Sequence, residues 1–174
     1  MLTSPVVYNG KTLLICGFPG VGKTYLWNEL RLPVTDSDSS RFRKGNFPEN
    51  YVNHIKGILT NNPDNEIILI STHEIVRNEL RNQKLEYILV YPKKEDKDTY
   101  LNRYSNRGSG RGFVDLLDKN WNKFIESCEN DPSEHHYHLS GNEYLSTIIK
   151  QIIFDEFITY CKGKQFIQKG NQHE

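Results

Sequence analysis

The sequence carries no excess of charge of either sign. Lysine and arginine together number 22, aspartate and glutamate together also number 22, and the formal net charge is zero. A chain without net charge has no overall electrostatic attraction to nucleic acid or to an anionic membrane. A general nucleic-acid coat is therefore disfavoured, although a local basic groove stays open.

Cysteine is scarce and long apolar runs are absent. Cys16, Cys128 and Cys161 are widely spaced and odd in number, which fits neither a disulfide framework nor a zinc motif. No apolar run approaches the roughly 20 residues of a membrane helix. The N-terminal letters MLTSPVVYNGK lack the basic start and apolar core of a signal peptide. We therefore expect a cytoplasmic protein without a membrane partner, in the host cytoplasm if a phage encodes it.

Internal repeats and low-complexity linkers are also absent. The 174 residues are enough to bury one hydrophobic core. We expect a single domain over residues 1–163 and a flexible C-terminal tail over residues 164–174.

Short apolar segments alternate with helical patterns along the chain. Strands are predicted at residues 12–16, 33–35, 67–72 and 87–91, with a last short strand in the letters HYHLSG. A long C-terminal helix is predicted to end at Gly163. Because strands that alternate with helices form parallel βαβ units, the expected fold class is α/β with three layers.

The letters GFPGVGKT at residues 17–24 match the phosphate-binding pattern G-x-x-x-x-G-K-[ST], the P-loop. Glycines let the backbone approach an anion closely, and successive N–H groups and the following helix N-terminus then point at phosphate oxygens. Lys23 adds a positive charge near the β- and γ-phosphates, and the Thr24 hydroxyl is a ligand for Mg²⁺. The segment predicts an ATP·Mg²⁺ site formed by Gly17, Pro19, Gly20, Val21, Gly22, Lys23, Thr24 and Tyr25.

Two aspartates follow the second predicted strand in the letters TDSDSS. Ligands of doubly wound sheets bind beyond the carboxyl ends of the strands, so Asp36 and Asp38 are expected near the γ-phosphate. We expect Asp36 to hold the metal together with Thr24, and Asp38 to orient or deprotonate the acceptor. The alternative is that these Asp and Ser residues cap the next helix.

Three arginines alternate with glycines in the letters RYSNRGSGRG. Arginine forks suit phosphate oxygens, and glycines permit a loop that closes over a bound ligand and excludes water. We expect a mobile lid at about residues 103–115 in which Arg103, Arg107 and Arg111 contact the transferring phosphoryl group. The alternative is a solvated basic turn.

The order of P-loop, acceptor region and arginine-rich lid resembles the nucleoside monophosphate kinases. The letters RYSNRGSGRGFVD are similar to the R-G-x-x-S-G-R-x-D-D lid of short-lid adenylate and UMP/CMP kinases, which implies that Arg107 and Arg111 contact phosphates and that Asp115 holds the lid in place. The letters DSD are similar to the D-x-D of shikimate kinase, which implies the same roles for Asp36 and Asp38. The resemblance implies a P-loop NTPase fold with a five-stranded parallel sheet in the order 2-3-1-4-5.

The segment after the third strand departs from that pattern. Monophosphate kinases usually carry an aspartate followed by G-[FY]-P-R, whereas this chain has ISTHEIVR. Ser71 or Thr72 is a candidate to contact metal-bound water, His73 to face the site, and Arg77 to bind an acceptor phosphate, while helix capping by Ser71 or Thr72 is simpler. A further lid arginine is also missing, with Lys119 or Lys123 as substitutes. These departures bear on the identity of the acceptor.

Aromatic and histidine clusters have simpler explanations. Tyr25 and Trp27 are expected in core or adenine-edge packing, and the rings at Phe42, Phe47 and Tyr51 in the core more than on a base. In the letters HHYH, His136 and His138 can share one strand face, but no further ligand cluster is evident for a metal.

These features predict an ATP-dependent phosphotransferase that uses Mg²⁺ and acts on a nucleoside or deoxynucleoside monophosphate. One alternative acceptor is a hydroxyl of a small polyol or acid, of a nucleic-acid 5′ end or of a modified base. A second alternative is a regulatory NTP-binding switch. The expected partners are ATP and a small-molecule phosphoryl acceptor, with nucleic acid less favoured, and the expected state is a monomer or homodimer.

Overall fold

A computed structural model describes residues 12–29, 34–61 and 67–170 of the chain. The strands are β1 (Leu13–Gly17), β2 (Val34–Asp36), β3 (Ile67–Ser71), β4 (Ile88–Pro92) and β5 (His135–Leu139). The helices are α1 (Lys23–Glu29), α2 (Glu49–Asn61), α3 (Glu74–Asn82), α4 (Lys97–Asn106), α5 (Arg111–Glu129) and α6 (Leu145–Gly170). Short 3-10 turns lie at Ser39–Arg41, Lys44–Asn46 and Lys94–Asp96.

The five strands form one parallel sheet in the order β2-β3-β1-β4-β5. This order and the flanking helices confirm the predicted three-layer P-loop NTPase fold. β1 is central, with Ile15 opposite Leu69 on one side and Ile88 on the other. All five residues of β1 are buried, as expected where helices cover both faces of a parallel sheet. Because β2, β3 and β1 are parallel neighbours, their carboxyl ends lie at one edge of the sheet, where the P-loop, Asp36 and Asp38 follow β1 and β2.

Helix α6 is longer than predicted. It continues through Gly170, so the expected end at Gly163 is wrong and residues 164–170 of the predicted tail are helical. A glycine inside a helix costs only about 1 kcal/mol relative to alanine, so it does not by itself end a helix. Residues 171–174 of the predicted tail lie outside the described residues. Among the helices described, none is both long enough and apolar enough to span a membrane.

The predicted lid is largely helical. α4 runs to Asn106 and α5 begins at Arg111, so only residues 107–110 of the lid lie between helices. Gly108 has φ +77°, and the turn between the two helices requires this conformation. Mobility of the lid stays a prediction.

A buried ion pair joins α3 to the segment that follows α5. Arg77 Nε donates to Asp131 Oδ2 at 2.7 Å, and the two side chains are 2% and 1% exposed. Arg77 also donates to the carbonyl oxygens of Thr72 and Ser127, and Tyr87 Oη donates to Asp131 Oδ1 at 2.8 Å. Arg81, whose side chain is 33% exposed, lies 2.8 Å from the same Asp131 oxygen and is a second, less buried partner. The buried pair of Arg77 and Asp131 belongs to the core of the fold.

We predict that Arg77→Ala destabilises the protein by about 3–5 kcal/mol, because it leaves the buried Asp131 carboxylate with only the partly exposed Arg81 as a charged partner. Urea unfolding followed by circular dichroism measures this. The matched control is Lys94→Ala, which removes an exposed ion pair with Glu126 at 2.7 Å and should change stability far less. Equal losses in the two variants would contradict this role of the buried pair.

Candidate functional site

The P-loop connects the end of β1 to the start of α1, and its shape requires glycine at two positions. Gly20 has φ +83° and Gly22 has φ +95°, conformations that L side chains rarely adopt. A Cβ on Gly20 would lie only 2.7 Å from Cε1 of Tyr104. The glycines of the motif thus permit both the turn and the close packing of α4 against it.

Lys23 folds back over its own loop. Its Nζ donates to the carbonyl oxygens of Gly17 at 2.5 Å and Phe18 at 3.3 Å. Burial lowers the pKa of Lys23 to about 8, with the Asp36 carboxylate opposing the shift and the Arg107 charge adding to it. A phosphate placed on the loop would supply the negative charge that favours the protonated form.

Thr24 and Asp36 meet at the carboxyl edge of the sheet. Thr24, in the first turn of α1, donates from Oγ1 to Oδ2 of Asp36, the last residue of β2, at 3.0 Å. A hydroxyl and a carboxylate oxygen are the donor types that Mg²⁺ prefers. No group of three or more His, Cys, Asp or Glu that could hold a metal occurs among the residues described. Mg²⁺ at this pair would therefore take its remaining ligands from phosphates and water.

Asp38 caps the first 3-10 turn. Its Oδ1 accepts a hydrogen bond from the Ser40 N–H at 2.9 Å, and its Oδ2 lies 4.0 Å from Nε of Arg41. Burial raises the pKa of Asp38, but hydrogen bonds from Ser40 and the charges of Arg41 and Lys23 outweigh it, so the net shift is downward. The capping alternative is thus present in the structure, while the catalytic role stays a prediction. A carboxylate with a lowered pKa is a weak base, better suited to orient an acceptor than to deprotonate it.

Tyr51 fixes the ends of β2 and β3 relative to each other. Its hydroxyl donates to the Ser37 carbonyl at 2.7 Å and accepts from the Ser71 N–H at 3.1 Å. Phe42 and Phe47 pack on its ring at centroid distances of 4.9 and 5.8 Å. Core packing of these rings is confirmed, since Tyr51 is fully buried. Sequence reasoning missed the hydroxyl's role because its partners are distant in the chain.

Arg103 is anchored to backbone groups around the P-loop. It lies on α4 and donates to the carbonyl oxygens of Gly20 at 3.4 Å, Gly141 at 2.5 Å and Glu143 at 3.1 Å. Its guanidinium carbon lies 4.0 Å from the centroid of the Tyr144 ring. These contacts give Arg103 a positioning role, and a phosphate contact stays a prediction.

Arg107 and Arg111 are both exposed near the turn between α4 and α5. Arg107 Nε donates to Ser109 Oγ at 2.7 Å, and its guanidinium carbon lies 5.0 Å from the centroid of the Tyr104 ring. Burial is the main cause of the lowered pKa of Lys23, the Asp36 carboxylate opposes it, and the charge of Arg107 lowers the pKa further. Arg107 is therefore within electrostatic reach of the P-loop, and the phosphate contacts of both arginines stay predictions.

The segment after β3 contributes less than the sequence suggested. Arg77 is buried on Asp131, so the idea that it binds an acceptor phosphate is wrong. The Ser71 hydroxyl accepts from the His73 N–H at 3.4 Å, and His73 is the N-terminal flanking residue of α3. Burial lowers the pKa of His73, and the charges of Lys23 and Arg77 add to this effect. His73 therefore lies within electrostatic range of the P-loop lysine.

Two aromatic side chains of α1 project into solvent. Tyr25 is 57% and Trp27 is 52% exposed, so the predicted core packing is wrong for both. Contact of Tyr25 with a nucleotide stays a prediction.

The chain matches no protein-family model and no curated protein. Among solved structures it is similar to an SH3-kinase fragment of tight junction protein 3, with a TM-score of 0.54, 13% identity and 87% of this chain covered. The matched region spans 59% of that fragment. A gluconokinase from Sinorhizobium meliloti 1021 has a TM-score of 0.49 and 14% identity, over 92% of this chain and 98% of the other. At 13% identity the likeness to the tight junction protein 3 fragment concerns the fold alone.

We predict that Tyr51→Phe weakens Mg²⁺-dependent nucleotide binding about tenfold, equal to ~1.4 kcal/mol. The change leaves the Ser71 N–H and the Ser37 carbonyl without their partner and loosens the strand end that carries Asp36. Calorimetric titration with a non-hydrolysable ATP analogue measures it. The control is Tyr137→Phe, whose hydroxyl donates to Asp155 on α6 at 2.9 Å and which should bind as wild type does. Unchanged affinity in Tyr51→Phe would remove the positioning role.

Proposed function

We propose that the protein is an ATP-dependent phosphotransferase that moves the γ-phosphate of ATP to a nucleoside or deoxynucleoside monophosphate. The observation that carries the proposal is the Thr24–Asp36 contact of 3.0 Å beside the P-loop lysine. The contact brings together the oxygen donors for Mg²⁺ and the charge for the phosphates at the carboxyl edge of the sheet.

The residues divide the work of phosphoryl transfer. Backbone N–H groups of the P-loop and Lys23 bind the β- and γ-phosphates, and Thr24 with Asp36 would hold Mg²⁺. The metal ion, when bound, neutralises charge that develops on the β- and γ-oxygens. Arg107 and Arg111 are the candidates to cover the phosphoryl group and exclude water. An acceptor oxygen forms the new bond to the γ-phosphorus while the bond to the β–γ bridging oxygen breaks.

A phosphate acceptor is consistent with the state of Asp38. A phosphate monoester has a second pKa of about 6, so at neutral pH its oxygen is already largely deprotonated and needs no strong general base. Asp38, whose pKa is lowered by Ser40, Arg41 and Lys23 despite its burial, is a weak base. The acceptor therefore has to be oriented more than deprotonated.

Exposed cations beside Asp38 can bind the acceptor phosphate. Arg41 lies 4.0 Å from Asp38 and its side chain is 81% exposed. Arg43 and Lys44 follow it and are also exposed. Guanidinium groups bind phosphate oxygens in a bidentate manner, so Arg41 is the leading candidate.

A hydroxyl acceptor is the second candidate. It is favoured by the burial of Arg77, which removes one predicted contact to an acceptor phosphate. Such an acceptor would be a small polyol or acid, or a nucleic-acid 5′ end or modified base.

We predict that ADP release from Mg·ATP rises at least about tenfold with one nucleoside monophosphate in a panel that also contains shikimate, gluconate and 5′-hydroxyl oligonucleotides.

We also predict that Asp36→Asn lowers kcat by about 10- to 100-fold, because it weakens metal binding. The matched control is Asp118→Asn, which changes an exposed aspartate of α5 paired with Lys97 of α4 at 2.7 Å and should turn over normally.

The outcomes separate the candidates. Stimulation by shikimate, gluconate or an oligonucleotide, but by no nucleoside monophosphate, would identify a hydroxyl as the acceptor. A slow rate that no acceptor stimulates would overturn the kinase proposal and favour an NTP-binding switch.

A further inference from the structure

Strand β5 is at the edge of the sheet and presents its histidines on two different faces. His135 and Tyr137 face α6, where His135 Nδ1 lies 2.8 Å from Glu156 Oε1 and Tyr137 Oη donates to Asp155 at 2.9 Å. Because side chains alternate along a strand, His136 and His138 lie on the opposite face. His136 and His138 therefore do not face Asp155 and Glu156 of α6, which contact Tyr137 and His135.

His136 and His138 converge on one oxygen atom of the adjacent strand. Tyr91 of β4 lies opposite His138 in the parallel register. Its Oη is 3.0 Å from Nδ1 of His136 and 3.3 Å from Nε2 of His138. One hydroxyl carries a single proton, so it can donate to only one of the two imidazoles. The three atoms form a compact group of lone-pair donors.

The surroundings of this group favour a cation. The carboxylates of Glu129 and Asp131 lie within electrostatic range of the Tyr91 hydroxyl, as does the opposing charge of Arg77. Cys128 and Glu129 belong to the last turn of α5, and the C-terminus of a helix carries partial negative charge. His138 is exposed, so an ion can reach the group from solvent.

We propose that His136, His138 and Tyr91 bind a divalent transition-metal ion of the Zn²⁺ type. Imidazole nitrogens at ligand positions two residues apart on a strand suit Zn²⁺, Ni²⁺ and Cu²⁺, and the phenol oxygen supplies the third protein donor. Binding releases the Tyr91 proton to solvent, and water takes the remaining position. The third donor was not evident from the HHYH letters because Tyr91 lies 45 residues before His136.

The ion would connect the edge strand β5 to its neighbour β4. β5 pairs with β4 alone in the described sheet, and the loop that follows β5 carries the Gly141 and Glu143 carbonyls to which Arg103 donates. A metal bridge between His138 and Tyr91 would hold the end of β5 against β4. The site is therefore structural, and it stands independently of the proposed kinase activity.

The test is calorimetric titration of the full chain, without a histidine tag and in a Cys161→Ser background, with ZnCl₂. Wild type is expected to bind one ion per chain with a dissociation constant in the micromolar range, which corresponds to ~8 kcal/mol of binding free energy. His138→Gln and His136→Gln should each weaken binding at least about tenfold. His135→Gln is the matched control and should bind as wild type does, because His135 faces Glu156 on α6.

A second readout is the melting temperature, which Zn²⁺ should raise in wild type and in His135→Gln but not in His138→Gln. If His136→Gln fails to fold, the binding and melting data of His138→Gln test the proposal, because His138 is exposed. Absence of binding at ~100 μM ZnCl₂, far above the expected dissociation constant, would overturn the proposal. Undiminished binding in His138→Gln, or equal loss in His135→Gln, would overturn it as well.

Discussion

The site depends on how neighbouring elements hold the carbonyl oxygens of the P-loop. Tyr104 Oη donates to the Pro19 carbonyl at 2.7 Å, and the Leu145 N–H donates to the Val21 carbonyl at 2.8 Å. In a planar trans peptide the C=O and the following N–H point in opposite directions. Fixing these two carbonyls outward therefore turns the N–H groups of Gly20 and Gly22 toward the opposite side, where an anion would bind. Helices α4 and α6 thus prepare the loop before any nucleotide arrives.

The need to hold the carbonyl oxygens of the P-loop also explains the position of Arg103 on α4 beside Gly20. A guanidinium has five N–H donors and no acceptor, so it can join several carbonyl oxygens at once. Arg103 uses this capacity to connect the Gly20 carbonyl of the P-loop with the Gly141 and Glu143 carbonyls of the loop after β5. We therefore expect phosphate binding by the lid from Arg107 and Arg111, which are exposed.

Features set by local patterns were predictable from the sequence. The glycine spacing located the P-loop, and the alternation of apolar segments with helical patterns predicted the parallel sheet that places Asp36 beside Thr24. Features set by distant partners were not predictable. The sequence suggested that Arg77 binds an acceptor phosphate. In the structure it is buried in an ion pair with Asp131, which lies 54 residues further along the chain. The role of the Tyr51 hydroxyl was likewise hidden, because its partners Ser37 and Ser71 lie 14 and 20 residues away. The Asp38 cap is a local contact with Ser40, and the sequence offered it as an alternative.

The central claim is that the P-loop binds a magnesium nucleotide through Thr24 and Asp36. The most direct measurement is the affinity for ATP of wild type and of Thr24→Val, each with excess Mg²⁺ and with EDTA. Wild type should bind at least about tenfold more tightly with Mg²⁺, a difference of ~1.4 kcal/mol, and Thr24→Val should lose that difference while keeping its metal-free affinity. Equal affinity of wild type with and without Mg²⁺, or no binding of ATP at all, would contradict the claim.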